Sequence, residues 1–195
     1  MANTTVTRRY SYIAIGANLQ SNTGAPKQTL VAALQALKPE SLSLVDQSQW
    51  YHTPAFPAGS GPDFVNAVVK VSSDMSAEQV LSALHRIEAG LGRERGQRWG
   101  ARVCDLDLLD HEGQVLPNIA TWRHWYDLPL AAQQREAPDQ LILPHPRLQD
   151  RAFVLVPFAE IARDWRHPVL GLSAIEMRDN LPEEEIEQIR ADRGG

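Results

Sequence analysis

Apolar positions recur along the chain with two periods, and the switches between them lay out the elements. Tyr10 to Ile15 reads as a first strand, closed by Gly16-Ala17-Asn18-Leu19, and residues 20–26 as a turn. Gln28 to Leu37 has helical spacing, with Leu30, Val31, Leu34 and Leu37 on one face. Leu42 to Tyr51 predicts a second strand. Thr53-Pro54 to Pro62 is a Pro/Gly-rich loop longer than a hairpin requires, and Asp63 to Val71 is a third strand. Ser76, with Gln79 completing a capping box, opens a second helix that runs to about Leu91 and ends at Gly92. Val103 to Leu109 follows as a strand.

The order β-α-β-β-α-β predicts an α+β, ferredoxin-like antiparallel sheet with helices on one face. A C-terminal helical extension follows, with helices from about Asp150 to Ile161 and from Leu172 to Asn180. Residues 111–140 read as an irregular insert containing Trp122, Trp125 and Tyr126, favoured as a flap over apolar surface, and Leu141 to Leu143 as a short strand. Residues 1–9 are expected to form a flexible lead and residues 181–195 a charged, frayed tail.

Bulk properties narrow the picture. A chain of 195 residues with 43% hydrophobic content supports one core, hence a single domain over 1–195. One cysteine allows no internal disulfide, which suits the cytoplasm. The polar start lacks a signal-peptide core, and no apolar run reaches the ~18–20 residues of a membrane span. A net charge of −5 argues against nucleic acid as a general partner. No broad apolar stripe calls for a partner chain, so a monomer is expected.

Positive charge is instead local. Arg93, Arg95, Arg98 and Arg102 stand among Gly92, Gly96 and Gly100, and lead into Asp105-Leu106-Asp107. Arginine offers a planar fork of donors matched to phosphate oxygens, and glycines let the backbone approach a ligand closely. On a strand, Asp105 and Asp107 share one face, roughly 6.5–7 Å apart. Two such carboxylates suit Mg²⁺, which completes its shell with water and substrate phosphates. The contiguity of the two features favours a phosphate–metal site over a solvated arginine loop and a salt-bridged aspartate pair.

Several separated segments resemble one family. They are Gly16-Ala17-Asn18-Leu19, Tyr51-His52-Thr53-Pro54, Pro62-Asp63-Phe64-Val65-Asn66-Ala67, Arg86-Ile87-Glu88, Gly92-Arg93-Glu94-Arg95, the Arg98-Trp99-Gly100-Ala101-Arg102 run to Asp107, and Pro144-His145-Pro146 before Arg151-Ala152-Phe153. Together they resemble the 6-hydroxymethyl-7,8-dihydropterin pyrophosphokinase family of folate biosynthesis, in order from about residue 10 to 170. The resemblance implies transfer of pyrophosphate from ATP, a co-substrate, to the hydroxymethyl oxygen of the pterin, releasing AMP. It implies two Mg²⁺ ions on Asp105 and Asp107, with Arg93 and Arg102 acting in catalysis. It implies that Glu88, Arg95, Arg102, His145 and Arg151 contact ATP. Thr53, Pro54, Phe64, Asn66, Trp99 and Phe153 would form the pterin pocket, with Asn18 as nearby support. Phe64 stands where many members carry Tyr, Gln140 where some carry Arg, and residues 111–140 are longer than the usual connection.

Other readings compete. An Asp-x-Asp strand also serves other metal-dependent nucleotide transferases, but Gly16-Ala17-Asn18 is too short for a dinucleotide-binding fingerprint. The β-α-β-β-α-β order is also that of RNA-recognition modules, yet their aromatic run is missing. An inactive ATP-binding paralogue is opposed by the intact Asp105, Asp107 and Arg102.

Overall fold

The computed structural model describes residues 8–55, 61–92, 103–129, 132 and 135–192. Six strands are present among them: β1 (Arg9–Ala17), β2 (Ser43–Gln47), β3 (Tyr51–Thr53), β4 (Phe64–Ser73), β5 (Asp105–His111) and β6 (Arg190–Ala191). The helices are α1 (Pro26–Leu37), α2 (Ala77–Gly90), α3 (Ile119–Tyr126), α4 (Ala152–Ile161), α5 (Ala174–Asp179) and α6 (Glu183–Glu187), with a 3-10 turn at Leu148–Asp150. The strands form one antiparallel sheet in the order β5-β1-β4-β3-β6, and β2 also pairs with β4. This is the expected ferredoxin-like α+β arrangement.

Strand alternation divides the molecule into two cores. Ile13 and Ile15 of β1, Val69 and Val71 of β4, and Leu106 and Leu108 of β5 face α1 and α2, where they meet Leu30, Ala33, Val80 and Leu84. The opposite face presents Tyr12, Val68 and Leu109 to Val154, Leu155 and Phe158 of α4 and to Met177 of α5. Helices therefore cover both faces, because the C-terminal extension folds back over the side that α1 and α2 leave bare. Burying a side chain such as Phe158, which is fully inaccessible, contributes about 1.5–3 kcal/mol.

Local chemistry sets the element ends. Ser76 caps α2 through its hydroxyl, which accepts the Gln79 N–H at 3.3 Å, while Gln79 Oε1 accepts the Ser76 N–H at 2.8 Å. Gly92, just past α2, adopts φ +89°, a left-handed conformation that a side chain disfavours. Helix α1 begins at Pro26, where the fixed proline φ suits the first turn.

Several expectations are corrected. Val31 is exposed, and Ala33 takes its place on the buried face of α1 with Leu30 and Leu37. The single strand expected over Leu42–Tyr51 is two strands, β2 and β3. At the break, the Ser48 N–H donates to the Val68 carbonyl at 2.9 Å, and Ser48 Oγ accepts the Val68 N–H at 3.0 Å. The hydroxyl stands in for the missing ladder carbonyl. The region read as irregular contains helix α3, capped by Asn118, whose side chain accepts the Thr121 N–H at 2.9 Å. Residues Leu141–Leu143 contribute only one bridge, Leu116 to Leu143. The tail expected to fray instead forms α6 and β6. The Asp192 N–H donates to the Trp50 carbonyl at 2.7 Å, and Lys27 pairs with Asp192 at 2.8 Å. The free edge of β3 supplies the ladder partners that composition could not reveal.

Replacing Ser48, which is 4% exposed, with Ala leaves the Val68 N–H without an acceptor. The expected loss is about 1–3 kcal/mol of stability, read as a lower urea midpoint at unchanged slope. An unchanged midpoint would show that the hydroxyl does not carry the break.

Candidate active site

The site begins with the alternation of β5. Cys104, Leu106 and Leu108 are buried in the α1–α2 core, so Asp105 and Asp107 must project from the other face. Across the ladder they lie opposite Gly16 and Ala14 of β1. Further along, Ile13 pairs with Leu108 but Tyr12 with Asp110, so Leu109 is an extra residue that bends the strand end. Strand β5 lies at the sheet edge, and its Leu106 N–H finds an acceptor in Glu88 Oε1 at 2.8 Å. Glu88, near the C-terminal end of α2, is only 3% exposed. It approaches the aspartates from behind, through the backbone between them.

On the same face, β4 sets Asn66 opposite Gly16. A Cβ on Gly16 would lie 2.4 Å from Asn66 Oδ1 and 3.9 Å from a Phe64 ring carbon. The missing side chain is thus the space that the amide occupies. Asn66 Nδ2 donates to Thr53 Oγ1 at 2.7 Å, and both residues are buried. Phe64 is half-buried beside them, and Pro54 is exposed. Asn18 Nδ2 donates to the Pro62 carbonyl at 2.9 Å, tying the start of β4 to the end of β1.

The C-terminal segments close the third side. Arg151, the residue before α4, lies 3.9 Å from Asp107 Oδ2, and its guanidinium sits 5.7 Å from the Phe153 ring centre. The His145 N–H donates to the Leu109 carbonyl at 2.8 Å, which fixes this turn to β5. Its Nδ1 accepts the Arg147 N–H at 3.1 Å. Burial, helped by the charges of Arg151 and Arg147 and opposed by Asp105, pushes the His145 imidazole down to about 3. His145 is therefore neutral at physiological pH, with its proton on Nε2.

The structure thus brings together Thr53, Phe64, Asn66, Asp105, Asp107, His145, Arg151 and Phe153 around one sheet face and the segments packed over it. Arg93, Arg95, Trp99 and Arg102 lie outside the described residues. Glu88, which the resemblance sets near ATP, lies behind β5, where its Oε1 accepts the Leu106 N–H. Gly16 is the residue whose role the sequence left unread; a glycine inside a strand was the available signal. Among the described residues no three His, Cys, Asp or Glu side chains cluster as a metal cage. The donor set of two carboxylates fits a hard cation that keeps substrate and water in its remaining positions.

The residues match one family. Residues 12–163 correspond to 7,8-dihydro-6-hydroxymethylpterin-pyrophosphokinase (HPPK). The chain is similar to the 2-amino-4-hydroxy-6-hydroxymethyldihydropteridine pyrophosphokinase of Haemophilus influenzae, at 35% identity over 155 residues, covering 79% of this chain and 82% of the relative. It is 34% identical over 180 residues to the protein of the same name from Pseudomonas aeruginosa, covering 91% and 95%. In fold it resembles the wild-type HPPK-DHPS of Plasmodium falciparum solved with pteroate, with a TM-score of 0.61 at 12% identity, covering 89% of this chain and 44% of that one. The chain therefore spans less than half of that longer protein.

The Gly16–Asn66 contact and the burial of Asp110 each set an expected outcome. Gly16→Ala is expected to displace the Asn66 amide and raise KM for a pterin ligand at least tenfold while leaving KM for ATP within twofold; equal changes in both would remove the Gly16–Asn66 contact from the pocket. Asp110 is the second case. It is 2% exposed, and burial pushes its carboxyl up from 3.8 to about 6 against the Gly113 N–H and the Trp165 indole. The fold prefers its protonated form, so that stabilisation is present below pH ~4 and is lost as pH rises through about 6. Relative to wild type, Asp110→Asn should gain on the order of 2–3 kcal/mol between those limits in urea titrations. A constant difference across that window would contradict the assignment.

Proposed function

This chain belongs to the 7,8-dihydro-6-hydroxymethylpterin-pyrophosphokinase family, and we propose that its chemistry is organised by the carboxylates of β5, the Gly16–Asn66 pocket and the start of α4. The enzyme transfers pyrophosphate from ATP to the hydroxymethyl group of 6-hydroxymethyl-7,8-dihydropterin, giving AMP and the pterin diphosphate, in folate biosynthesis. The observation that carries the site assignment is the projection of Asp105 and Asp107 from one strand face, with Arg151 3.9 Å from Asp107 and Asn66 farther along the same sheet.

Transfer of this kind needs positioning and charge neutralisation more than covalent help from the protein. Asp105 and Asp107 would hold Mg²⁺, two ions in this proposal, which when bound supplies neutralisation of the phosphate charge and acidifies the attacking hydroxyl. Arg151 presents a permanent charge from the other side, at a helix N-terminus that itself favours anions. His145 offers an Nε2–H to a phosphate oxygen without adding charge. Phe64 and Phe153 provide the apolar faces for a flat pterin ring. Asn66 commits one amide N–H to Thr53, so its remaining amide groups define what the ring edge must offer. Pro54 lies on the rim. Arg93, Arg95 and Arg102 are assigned to ATP and Trp99 to the pterin, on the family resemblance. Glu88 is assigned to holding β5 in place of an adenine contact.

The proposal extends to a single domain acting as a monomer in the cytoplasm, with no nucleic-acid partner. No helix among the described residues is long and apolar enough to cross a membrane.

Asp107→Ala is expected to abolish turnover and leave thermal unfolding close to that of wild type. Phosphorus NMR reads the outcome: wild type should convert ATP to AMP only when the pterin is present, and the variant should not. Near-normal AMP formation by the variant would remove Asp107 from the metal site, and ADP as the wild-type product would indicate attack at the γ-phosphorus.

A further inference from the structure

Helix α3 contributes no residue to the site, yet two of its contacts end on the turn that does. Trp122 is fully buried, and its indole Nε1–H donates to the Pro144 carbonyl at 2.8 Å, immediately before His145. From the other end of the turn, Arg147 Nη1 donates to the Tyr126 carbonyl, the last residue of α3, at 3.1 Å. Trp122 stacks on Tyr126, with ring centres 5.0 Å apart and planes 22° from parallel, and meets His167 edge-on at 5.0 Å. The helix is thus anchored on one side by its own aromatic stack and holds the Pro144–Arg147 turn on the other.

Among the described residues three bonds orient His145, two of them within its own turn. Its own N–H reaches the Leu109 carbonyl of β5, its carbonyl accepts the Leu148 N–H at 3.0 Å, and its ring Nδ1 accepts the Arg147 N–H. The ring therefore points where the backbones of residues 144 and 147 allow, and both of those residues are tied to α3. A carbonyl and a guanidinium at either end of a four-residue turn leave little freedom to the imidazole between them.

We propose that Trp122 is a positioning residue for ATP binding: through Pro144 it sets the backbone that aims the His145 Nε2–H at the nucleotide phosphates. The inference rests on the reading that His145 meets those phosphates. It assigns α3 a mechanical role in the reaction, which packing of an apolar flap alone would not require.

The test uses the full chain. Trp122→Phe keeps an aromatic ring to stack on Tyr126 and removes the donor. It is expected to raise KM for ATP about three- to tenfold, the scale of one lost hydrogen bond, and to leave KM for the pterin unchanged. In the same variant, nitrogen NMR of His145 should move from a single Nε2–H tautomer toward a mixture, a change that general destabilisation does not produce. His145→Ala serves as the reference. A normal KM for ATP in Trp122→Phe beside a defective His145→Ala would overturn the brace alone. A normal KM for ATP in His145→Ala would overturn the reading beneath it. Should Trp122→Phe not fold, Arg147→Met cuts the second tie, at a partly exposed side chain, and is read in the same two ways.

Discussion

One hydrogen bond and one alternation hold the site together. Cys104, Leu106 and Leu108 are drawn into the core under α1 and α2, and this turns Asp105 and Asp107 to the opposite face. Among the described residues β5 pairs with β1 alone, and Glu88 is the acceptor that the buried Leu106 N–H finds. A lost acceptor there costs more than the bond itself is worth, since the N–H has no water to return to. The spacing and pitch of the two carboxylates therefore derive from apolar residues and a buried acid that touch no substrate in this account.

The rest of the site is added to that strand from distant parts of the chain. Gly16 supplies an absence, into which Asn66 fits, and Thr53 fixes the amide. The Leu109 carbonyl receives the His145 N–H, so the C-terminal segment is registered directly on the aspartate strand. Arg151 then arrives near Asp107 at the head of α4. Burial pushes the His145 imidazole down to about 3, so the ring is neutral through the physiological range. The sheet face thus divides into a charged end and an aromatic–amide end, the two ends to which the proposal assigns the polyphosphate and the flat heterocycle.

Much of this was legible in the sequence, for identifiable reasons. Strand alternation around Asp105 and Asp107, the Ser76–Gln79 cap and Gly92 are local signals, and local signals survive without coordinates. Other features depended on remote partners. Ser48 looks like any strand residue until Val68 stands beside it. Glu88 looks like a solvated helix residue until β5 covers it. The tail from Glu183 is too charged to hold structure unless the edge of β3 is open to receive β6. Helix α3 carries a local signal of its own: Asn118 as a cap, with Trp122, Trp125 and Tyr126 at helical spacing.

Everything in the proposed mechanism depends on Asp105 and Asp107 together binding the metal that pyrophosphoryl transfer requires. The most direct measurement is a Mn²⁺ titration followed by electron paramagnetic resonance, in the presence of a non-hydrolysable ATP analogue, on wild type and on Asp105→Asn and Asp107→Asn. Two protein-dependent ions per chain are expected in wild type, with at least one lost in each variant. Two ions bound with unchanged affinity in both variants would contradict the metal assignment.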